Sequence, residues 1–272
     1  MWFACLDPIV FNRKKKAHTY TLENNRMLLT GKKITVHTPC TYISVQGNNE
    51  RVVTLSTEPA TRTSDHTVLY FHGRGEDLGS LVHKNVLSRI ASATGCSVLA
   101  FEYPGYGHML PSQLCMEDTI RAGHAIYEHL SKTSLPIVYG YSIGSGIAVE
   151  VVRRAATVPL CVFLEGAFPT LLTSTYSKSK PLSWIARLLC IDALETADRL
   201  PLGVPTYFVH GTEDEMCSCA DAQRMAMAAG TYQESLWLEN HGHYNAWSAP
   251  RYQRFLKETV EKLLKRKSVG QA

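Results

Sequence analysis

From about residue 67 onward, the chain alternates between two hydrophobic spacings. Short continuous apolar runs, typical of buried strands, precede segments whose apolar residues recur every three or four positions, as on one helix face. The predicted strands are residues 67–71, 97–101, 136–139, 160–164, 206–209 and 234–238. The predicted helices are residues 81–93, 116–130, 143–155 and 220–229, and a last helix after Pro250. This order predicts an α/β fold, with a mostly parallel sheet and helices on both faces.

Two regions depart from this alternation. Residues 34–56 contain three β-branched runs with a hairpin signal at residues 47–49, which predicts antiparallel strands at the start of the sheet. Residues 167–200 hold apolar segments joined by Ser- and Lys-rich links, which predicts a small cap above the strand ends. We therefore predict an N-terminal appendage at residues 1–20 and one domain at residues 21–272, with a cap at about 167–200.

Length and composition fit one large α/β domain. The chain has 272 residues, of which 45% are hydrophobic, enough to bury a full core. Cys96 and Cys161 lie in apolar runs, which indicates buried free thiols in a reducing, cytoplasmic compartment. The Cys217-Ser-Cys219 pair lacks a second ligand cluster. We therefore expect no metal and no cofactor.

The N-terminus combines apolar and basic residues. Trp2 and Phe3 precede a basic cluster at residues 13–16, an order typical of a segment at a membrane interface, and Cys5 is a candidate for lipidation. The alternative is an arm packed on the domain with an inert Cys5. No run approaches the ~20 apolar residues of a membrane span, and the charges follow the apolar part, unlike a signal peptide.

The net charge of +4 is concentrated at the two ends of the chain. This distribution favours peripheral contact with an anionic surface, at the cytoplasmic face of a membrane, over a nucleic-acid groove. Two solvated tails are the alternative interpretation. Nothing in the pattern predicts an oligomeric state.

A G-x-S-x-G motif joins the strand at residues 136–139 to the helix at residues 143–155. Its serine is Ser142, flanked by Gly140 and Gly144. Strand, tight turn and helix are the context of a nucleophile elbow, which exposes the serine hydroxyl near a helix N-terminus.

A serine nucleophile needs a base and an acid, which follow it in the order acid, then histidine, in this type of fold. Asp214, after the strand at residues 206–209, is the favoured acid. Glu213, Glu215 and Glu165 are its rivals. His243, after the strand at residues 234–238, is the favoured base, with His241 as its rival.

The remaining motif residues have supporting roles in this interpretation. An oxyanion hole needs two backbone donors. The N–H of Ile143, directly after the nucleophile, is one candidate, and the N–H of Arg74, in the loop His72-Gly-Arg-Gly75, is the other. We interpret His72 and His210 as supports for their loops.

In order, the motifs resemble those of α/β-hydrolase-domain proteins, in the branch that includes protein depalmitoylases. The matching stretches are His-Gly-Arg-Gly-Glu-Asp-Leu-Gly at residues 72–79, Phe-Glu-Tyr-Pro-Gly-Tyr-Gly at residues 101–107, Gly-Tyr-Ser-Ile-Gly at residues 140–144, His-Gly-Thr-Glu-Asp-Glu at residues 210–215, and Leu-Trp-Leu-Glu-Asn-His-Gly-His at residues 236–243. The resemblance implies an α/β-hydrolase fold and a triad of Ser142, Asp214 and His243. It also implies a serine esterase or thioesterase that acts on an acylated protein or lipid ester. That branch attaches to membranes through a cysteine-rich N-terminus, where this chain has only Cys5.

Two other functions remain open from the sequence. Relatives with the same elbow include serine peptidases, so amide cleavage is the first alternative. A non-catalytic binding module with the same fold is the second. It would be indicated by a missing triad member, whereas all three residue types are present.

Overall fold

The computed structural model describes residues 20–23, 26–29, 35–44, 51–109, 116–171, 194–200 and 202–269. Residues 1–19 of the predicted appendage, with Cys5 and the basic cluster, lie outside the described residues. So do residues 172–193 of the predicted cap and the predicted hairpin turn at residues 47–49.

Within the described residues, ten strands form one sheet in the order β1-β2-β3-β4-β6-β5-β7-β8-β9-β10. The strands are β1 Tyr20–Glu23, β2 Arg26–Leu29, β3 Thr35–Ser44, β4 Arg51–Thr57, β5 Thr67–Phe71, β6 Ser97–Phe101, β7 Ile137–Tyr141, β8 Cys161–Glu165, β9 Thr206–Gly211 and β10 Leu236–Leu238. Strands β1 to β4 pair antiparallel, and β4 joins β6 antiparallel. Strands β5 to β10 are all parallel, so their carboxyl ends meet at one edge of the sheet.

Helices cover both faces of this sheet. They are α1 Leu78–His83, α2 Val86–Thr94, α3 Met116–Ser131, α4 Ile143–Arg154, α5 Cys219–Ala228 and α6 Pro250–Val269. Helices α3, α4 and α5 enclose one hydrophobic core, and α1, α2 and α6 enclose the other. Every residue of β6, β8 and β9 is buried, as expected for parallel strands between two helical layers. The predicted fold class is confirmed.

The predicted helix at residues 81–93 is wrong in one respect, because the structure has two helices there. Asp77 caps α1 through a capping box with Ser80, so α1 begins three residues earlier than predicted. Asn85 then adopts a left-handed conformation, with φ of 54°, and α2 begins at Val86. Asparagine tolerates this conformation better than most residues, so the break needs no glycine.

Other differences concern strand boundaries. The first two of the three runs predicted in residues 34–56 overlap the single strand β3, Thr35–Ser44. Strands β1 and β2 were not predicted, because each has only four residues of mixed polarity. Strand β10 begins at Leu236 rather than at residue 234, because Tyr232–Glu234 forms a 3₁₀ turn.

The described helices include none that combines the length and the apolar character that crossing a membrane requires.

Candidate active site

Ser142 lies between the last residue of β7 and the first residue of α4, at the carboxyl edge of the sheet. Its backbone has φ of 53° and ψ of −123°, a conformation that L-residues rarely adopt. The Ser142 N–H donates to the carbonyl of Glu165 at 2.8 Å. The Ser142 carbonyl accepts from Ser145, through its N–H at 2.8 Å and its hydroxyl at 2.7 Å. These bonds fix the strained turn and leave the Ser142 side chain to project from it.

The two glycines of the motif are sterically necessary. A Cβ on Gly140 would lie 2.6 Å from the Gly144 carbonyl oxygen and the Ser145 Cα. A Cβ on Gly144 would lie 2.2 Å from the carbonyl oxygen of Phe71, the last residue of β5. The first turn of α4 therefore packs directly against the ends of β5 and β7, which brings the loop after β5 beside Ser142.

His243 is bonded to both Ser142 and Asp214. Its Nε2 lies 3.0 Å from the Ser142 Oγ, and its Nδ1 lies 2.7 Å from Asp214 Oδ2. Because an ionised carboxylate only accepts, Nδ1 carries the proton and Nε2 is left to accept from the serine hydroxyl. The Tyr141 hydroxyl donates to the His243 carbonyl at 3.0 Å, which links the elbow to the histidine loop. The structure thus brings together the three residues predicted as a triad.

Asp214 is held by donors on both oxygens. Its Oδ1 accepts the backbone N–H groups of Met216 and Cys217, each at 2.8 Å, and its Oδ2 faces His243 and His210. Burial of the carboxyl raises its pKa, but hydrogen bonds from His210 and His243 outweigh that effect and hold the pKa of Asp214 well below its ordinary value. The Asp214 carboxylate is therefore ionised when His243 is protonated, so it can balance the positive charge of the imidazolium.

The rival acids and the rival histidine face elsewhere. Glu165 Oε2 accepts from the hydroxyls of Tyr139, at 2.6 Å, and Tyr252, at 3.1 Å. Glu213 and Glu215 are exposed on the loop around Asp214. His241 Nδ1 lies 2.7 Å from the carbonyl of Glu239 and does not share the contacts of His243.

The predicted oxyanion donors lie on the two segments that meet at the elbow. Ile143 is the first residue of α4, where backbone N–H groups have no partner inside the helix. A Cβ on Gly73, next to Arg74, would lie 2.9 Å from the Tyr141 ring, so this loop lies against the elbow. Buried Glu76 fixes the loop by accepting from the Gly73 N–H at 3.0 Å and from Lys84 Nζ at 3.1 Å. The roles of the Arg74 and Ile143 N–H groups stay predictions.

His72, at the start of the same loop, is fully buried. Its Nδ1 lies 3.0 Å from the Gly73 carbonyl, and its ring stacks on Tyr103 with centroids 3.6 Å apart. Glu102 lies 3.7 Å from the other ring nitrogen. The Tyr103 hydroxyl donates to the His72 carbonyl at 2.9 Å. These contacts hold the loop that carries Arg74.

His210 has a contact that the sequence did not reveal. Its Nε2 lies 3.2 Å from Asp214 Oδ2, the same oxygen that faces His243. Sequence reasoning interpreted this histidine only as a support for its loop. The sequence signal available for this contact was a histidine near the end of a buried strand, four residues before the candidate acid.

Asp214, Cys217 and His243 are the described residues grouped closely enough to suggest a metal ion, with ligand atoms within 4.8 Å of one another. Asp214 and His243 already bond to each other. Burial raises the pKa of the Cys217 thiol well above its ordinary value, so the thiol keeps its proton. The contacts within this group are therefore those of a hydrogen-bonded triad beside a protonated thiol.

One exposed apolar side chain, Tyr244, is in ring contact with the candidate triad. Among the described residues, five large hydrophobic side chains are exposed, and three of them follow the candidate acid or base along the chain. These three are Met216 at 48%, Tyr244 at 69% and Trp247 at 44% exposure. Tyr244 stands with its ring 5.0 Å from that of His243, and Arg89 lies over Trp247 at 4.0 Å. Tyr244 therefore adds an exposed apolar surface in direct contact with His243, while Met216 and Trp247 lie close to Asp214 and His243 along the chain.

Comparisons with known proteins agree with this architecture. No protein-family model matches the chain. The chain is 29% identical over 208 residues to alpha/beta hydrolase domain-containing protein 17C from Xenopus tropicalis, covering 72% of this chain and 62% of the relative. It is 26% identical over 254 residues to alpha/beta hydrolase domain-containing protein aho-3 from Caenorhabditis elegans, covering 86% of this chain and 71% of the relative.

Solved structures show the same fold at lower identity. An esterase from Pyrococcus furiosus superposes with a TM-score of 0.61 at 16% identity, covering 85% of this chain and 91% of its own. A meta-cleavage product hydrolase from Pseudomonas fluorescens IP01 superposes with a TM-score of 0.60 at 16% identity, covering 84% and 98%.

The chain therefore has the α/β-hydrolase fold. Its resemblance to the α/β-hydrolase domain-containing proteins, predicted from five short motifs, is confirmed. Its relatives and structural neighbours carry the names of hydrolases and esterases, the class of enzyme that the sequence predicted.

Proposed function

We propose that the protein is a serine hydrolase that cleaves carboxylic esters or thioesters through an acyl-enzyme on Ser142. The observation that carries this proposal is the continuous hydrogen-bonded chain from Ser142 Oγ through His243 to Asp214, at 3.0 Å and 2.7 Å. A serine hydroxyl is a weak nucleophile without such a base, and a base so oriented is the common feature of convergent serine hydrolases.

In this proposal each group of the site has one role. His243 Nε2 takes the Ser142 proton as Oγ attacks the carbonyl carbon, and Asp214 stabilises the imidazolium that forms. The N–H groups of Ile143 and Arg74 bind the oxyanion, each supporting the transition state by a few kcal/mol. The imidazolium then protonates the leaving alkoxide or thiolate. Water, deprotonated by the same histidine, releases the acid and restores Ser142.

We infer that the substrate is the thioester of an S-acylated protein, or a related lipid ester, at a membrane surface. The motifs shared with the depalmitoylase branch support this substrate class. Exposed Tyr244, with its ring 5.0 Å from that of His243, supports it independently, because an apolar surface beside the base suits a long acyl chain or a lipid surface better than a polar peptide.

A paired substrate assay tests the proposal. Palmitoylated peptide thioester and a matched palmitoyl amide are incubated with the wild type and with Ser142→Ala. We expect thioester cleavage by the wild type, no turnover by Ser142→Ala, and little cleavage of the amide. Comparable cleavage of the amide would favour a peptidase. Turnover that survives in Ser142→Ala would refute the acyl-enzyme.

Membrane contact through the N-terminus is a separate proposal, supported by Trp2, Phe3, Cys5 and the basic residues 13–16. Deleting residues 1–19 should move the protein from membrane to soluble cell fractions, and Cys5→Ser should do so in part. An unchanged distribution in both variants would refute this proposal without affecting the hydrolase proposal.

A further inference from the structure

We propose that His210 is a positioning residue for the reaction, a second histidine that fixes the Asp214 carboxylate toward His243. The proposal rests on the proposed function, because Asp214 has a catalytic role only if Ser142 is a nucleophile. It extends the three-residue arrangement by a fourth side chain that touches no substrate.

The surroundings of His210 require a proton on its Nε2. His210 Nε2 lies 3.2 Å from Asp214 Oδ2 and 3.0 Å from the Cys217 carbonyl oxygen. Both oxygens only accept hydrogen bonds, so Nε2 carries a proton that it shares between them. The other ring nitrogen, Nδ1, is buried and has no hydrogen-bond partner among the described residues. The tautomer with its single proton on Nε2 therefore fits this environment.

These contacts form a closed ring. The Cys217 N–H donates to Asp214 Oδ1 at 2.8 Å, while the Cys217 carbonyl accepts from His210. His210 in turn faces Asp214 Oδ2. The carboxylate is thus held at both oxygens by groups other than His243, so its orientation does not depend on the imidazole that moves protons.

His210 is suited to hold a fixed position. It belongs to β9, a fully buried strand between β8 and β10, and its side chain is 0% exposed. Asp214 is on the loop beyond that strand, where backbone freedom is greater. A donor on the strand transfers the rigidity of the sheet to the loop carboxylate. Positioning of this kind matters because a misplacement of about 1 Å can cost roughly a hundredfold in rate.

The shared oxygen also gives His210 an electrostatic effect. Asp214 Oδ2 divides its hydrogen bonding between His243 and His210, so His210 weakens the attraction of the carboxylate for a proton on His243. Cys217, the other titratable residue of this ring, keeps its thiol proton and contributes no charge. Removing the His210 donor should let His243 retain its proton to higher pH, which a purely structural defect would not cause.

Two substitutions of His210 separate the effect of losing its hydrogen-bond donor from the effect of changing its side-chain volume. Gln places an amide N–H near the position of Nε2, whereas Leu fills the space without a donor. His66→Leu is the matched control. His66 Nδ1 lies 2.7 Å from the Leu135 carbonyl, near the amino ends of β5 and β7, whereas Ser142 lies at their carboxyl ends. Each variant is titrated with a fluorophosphonate that labels Ser142, and ester hydrolysis per labelled site is measured from pH 5 to 9.

We expect His210→Leu to lose about tenfold to a hundredfold in kcat per labelled site, the range for a lost hydrogen bond to a charged group, with KM unchanged. We expect the acidic limb of its kcat/KM profile to move to higher pH. His210→Gln should recover most of kcat and the wild-type limb, and His66→Leu should match the wild type.

Equal losses in the Gln and Leu variants, or an unmoved acidic limb in His210→Leu, would overturn the proposal. If the wild type itself fails to label at Ser142, the proposed function fails first. If the wild type labels and turns over while His210→Leu equals it in kcat, only the role of His210 is refuted.

Discussion

Two carboxylates at the ends of neighbouring strands, β8 and β9, have opposite environments. Asp214, after β9, has four N–H groups around its oxygens, two of them from imidazoles. Glu165, the last residue of β8, is approached on one oxygen by two phenol hydroxyls. The pKa of Asp214 is lowered, chiefly by hydrogen bonds that outweigh burial, whereas burial raises the pKa of Glu165.

The comparison shows that burial alone does not decide which carboxylate serves the reaction. Both side chains are almost fully removed from solvent, and both lie within a few residues of a parallel strand end. What differs is the supply of donors: imidazole and backbone N–H groups outweigh burial at Asp214, whereas at Glu165 the two tyrosine hydroxyls only partly offset the burial that raises its pKa. Neighbouring carboxyls with pKa values displaced in opposite directions are a frequent sign of divided roles.

The largest effect should come from removing the charge of Asp214. Asp214→Asn should lower kcat by about 10⁴-fold, because the amide stabilises the wrong His243 tautomer and cannot balance the imidazolium. Glu165→Gln should change kcat by less than about threefold, since its carboxyl contacts Tyr139 and Tyr252 instead of His243. Ester turnover of the two variants is compared at equal folded concentration. A large loss in Glu165→Gln would assign it a part in catalysis.

Gly166 connects the two regions and should give the next largest effect. It follows Glu165 with φ of 59°, and a Cβ there would lie 3.0 Å from His243 Cε1. Gly166→Ala should lower kcat by about a hundredfold, because the imidazole must move from its bond with Ser142. Gly203→Ala is the control: Gly203 has φ of 71° and open space around its Cβ position. A wild-type rate in Gly166→Ala would show that His243 is less tightly placed than the contacts imply.

The two carboxyls should also give opposite pH dependences of stability. Asp214, with a lowered pKa, contributes stability that is present above its unfolded value near pH 4 and lost as pH falls below it. Glu165, with a raised pKa, contributes stability that is present below about pH 4 and lost as pH rises through its folded pKa.

Urea unfolding of the wild type, Asp214→Asn and Glu165→Gln from pH 3 to 8 measures both trends. Relative to the wild type, Glu165→Gln should gain stability toward neutral pH, and Asp214→Asn should lose it. Each unit of pKa displacement corresponds to about 1.4 kcal/mol. If the free energies of unfolding of the two variants change with pH in the same way, the opposite pKa displacements of Asp214 and Glu165 are contradicted.

The smallest effect should come from the hydroxyl of Tyr252. Tyr252→Phe removes one of the two donors to Glu165 and a 2.7 Å contact with the Tyr139 hydroxyl. It should cost about 1 kcal/mol in the free energy of unfolding, read from the urea midpoint, with kcat unchanged. A loss of kcat as large as that of Gly166→Ala would mean that the Glu165 region also holds the elbow in its active form.

The sequence predicted those parts of the molecule that depend on local pattern. Apolar runs located the central strands, and the G-x-S-x-G motif located the strand-to-helix turn at Ser142, because its glycines are demanded by backbone contacts only 2.2 to 2.6 Å away. Chain order predicted an acid and then a histidine after Ser142, and the preceding Gly242 favoured His243 over His241. The structure brings Asp214 and His243 together with Ser142.

What the sequence could not predict depends on distant contacts. The periodicity of Val82, Val86 and Ile90 continues through Asn85, so nothing local marks the break between α1 and α2. The second bond of His210 is also invisible locally, because a histidine at a strand end has no preferred partner until the loop folds back over it. The difference between Asp214 and Glu165 is likewise invisible locally, because the two imidazoles that lower the pKa of Asp214 and the packing that buries Glu165 come from separate elements.

The most direct test of the account is the site of covalent labelling by a fluorophosphonate. Wild-type protein is treated with the probe, digested and analysed by mass spectrometry, with Ser142→Ala and Ser131→Ala treated in parallel. Ser131 is a suitable control, because its hydroxyl bonds to the Tyr127 carbonyl within α3 and makes no bond to the elbow. We predict a single adduct on Ser142 in the wild type and no labelling of Ser142→Ala. An unlabelled folded wild type, or an adduct that persists in Ser142→Ala, would contradict the account.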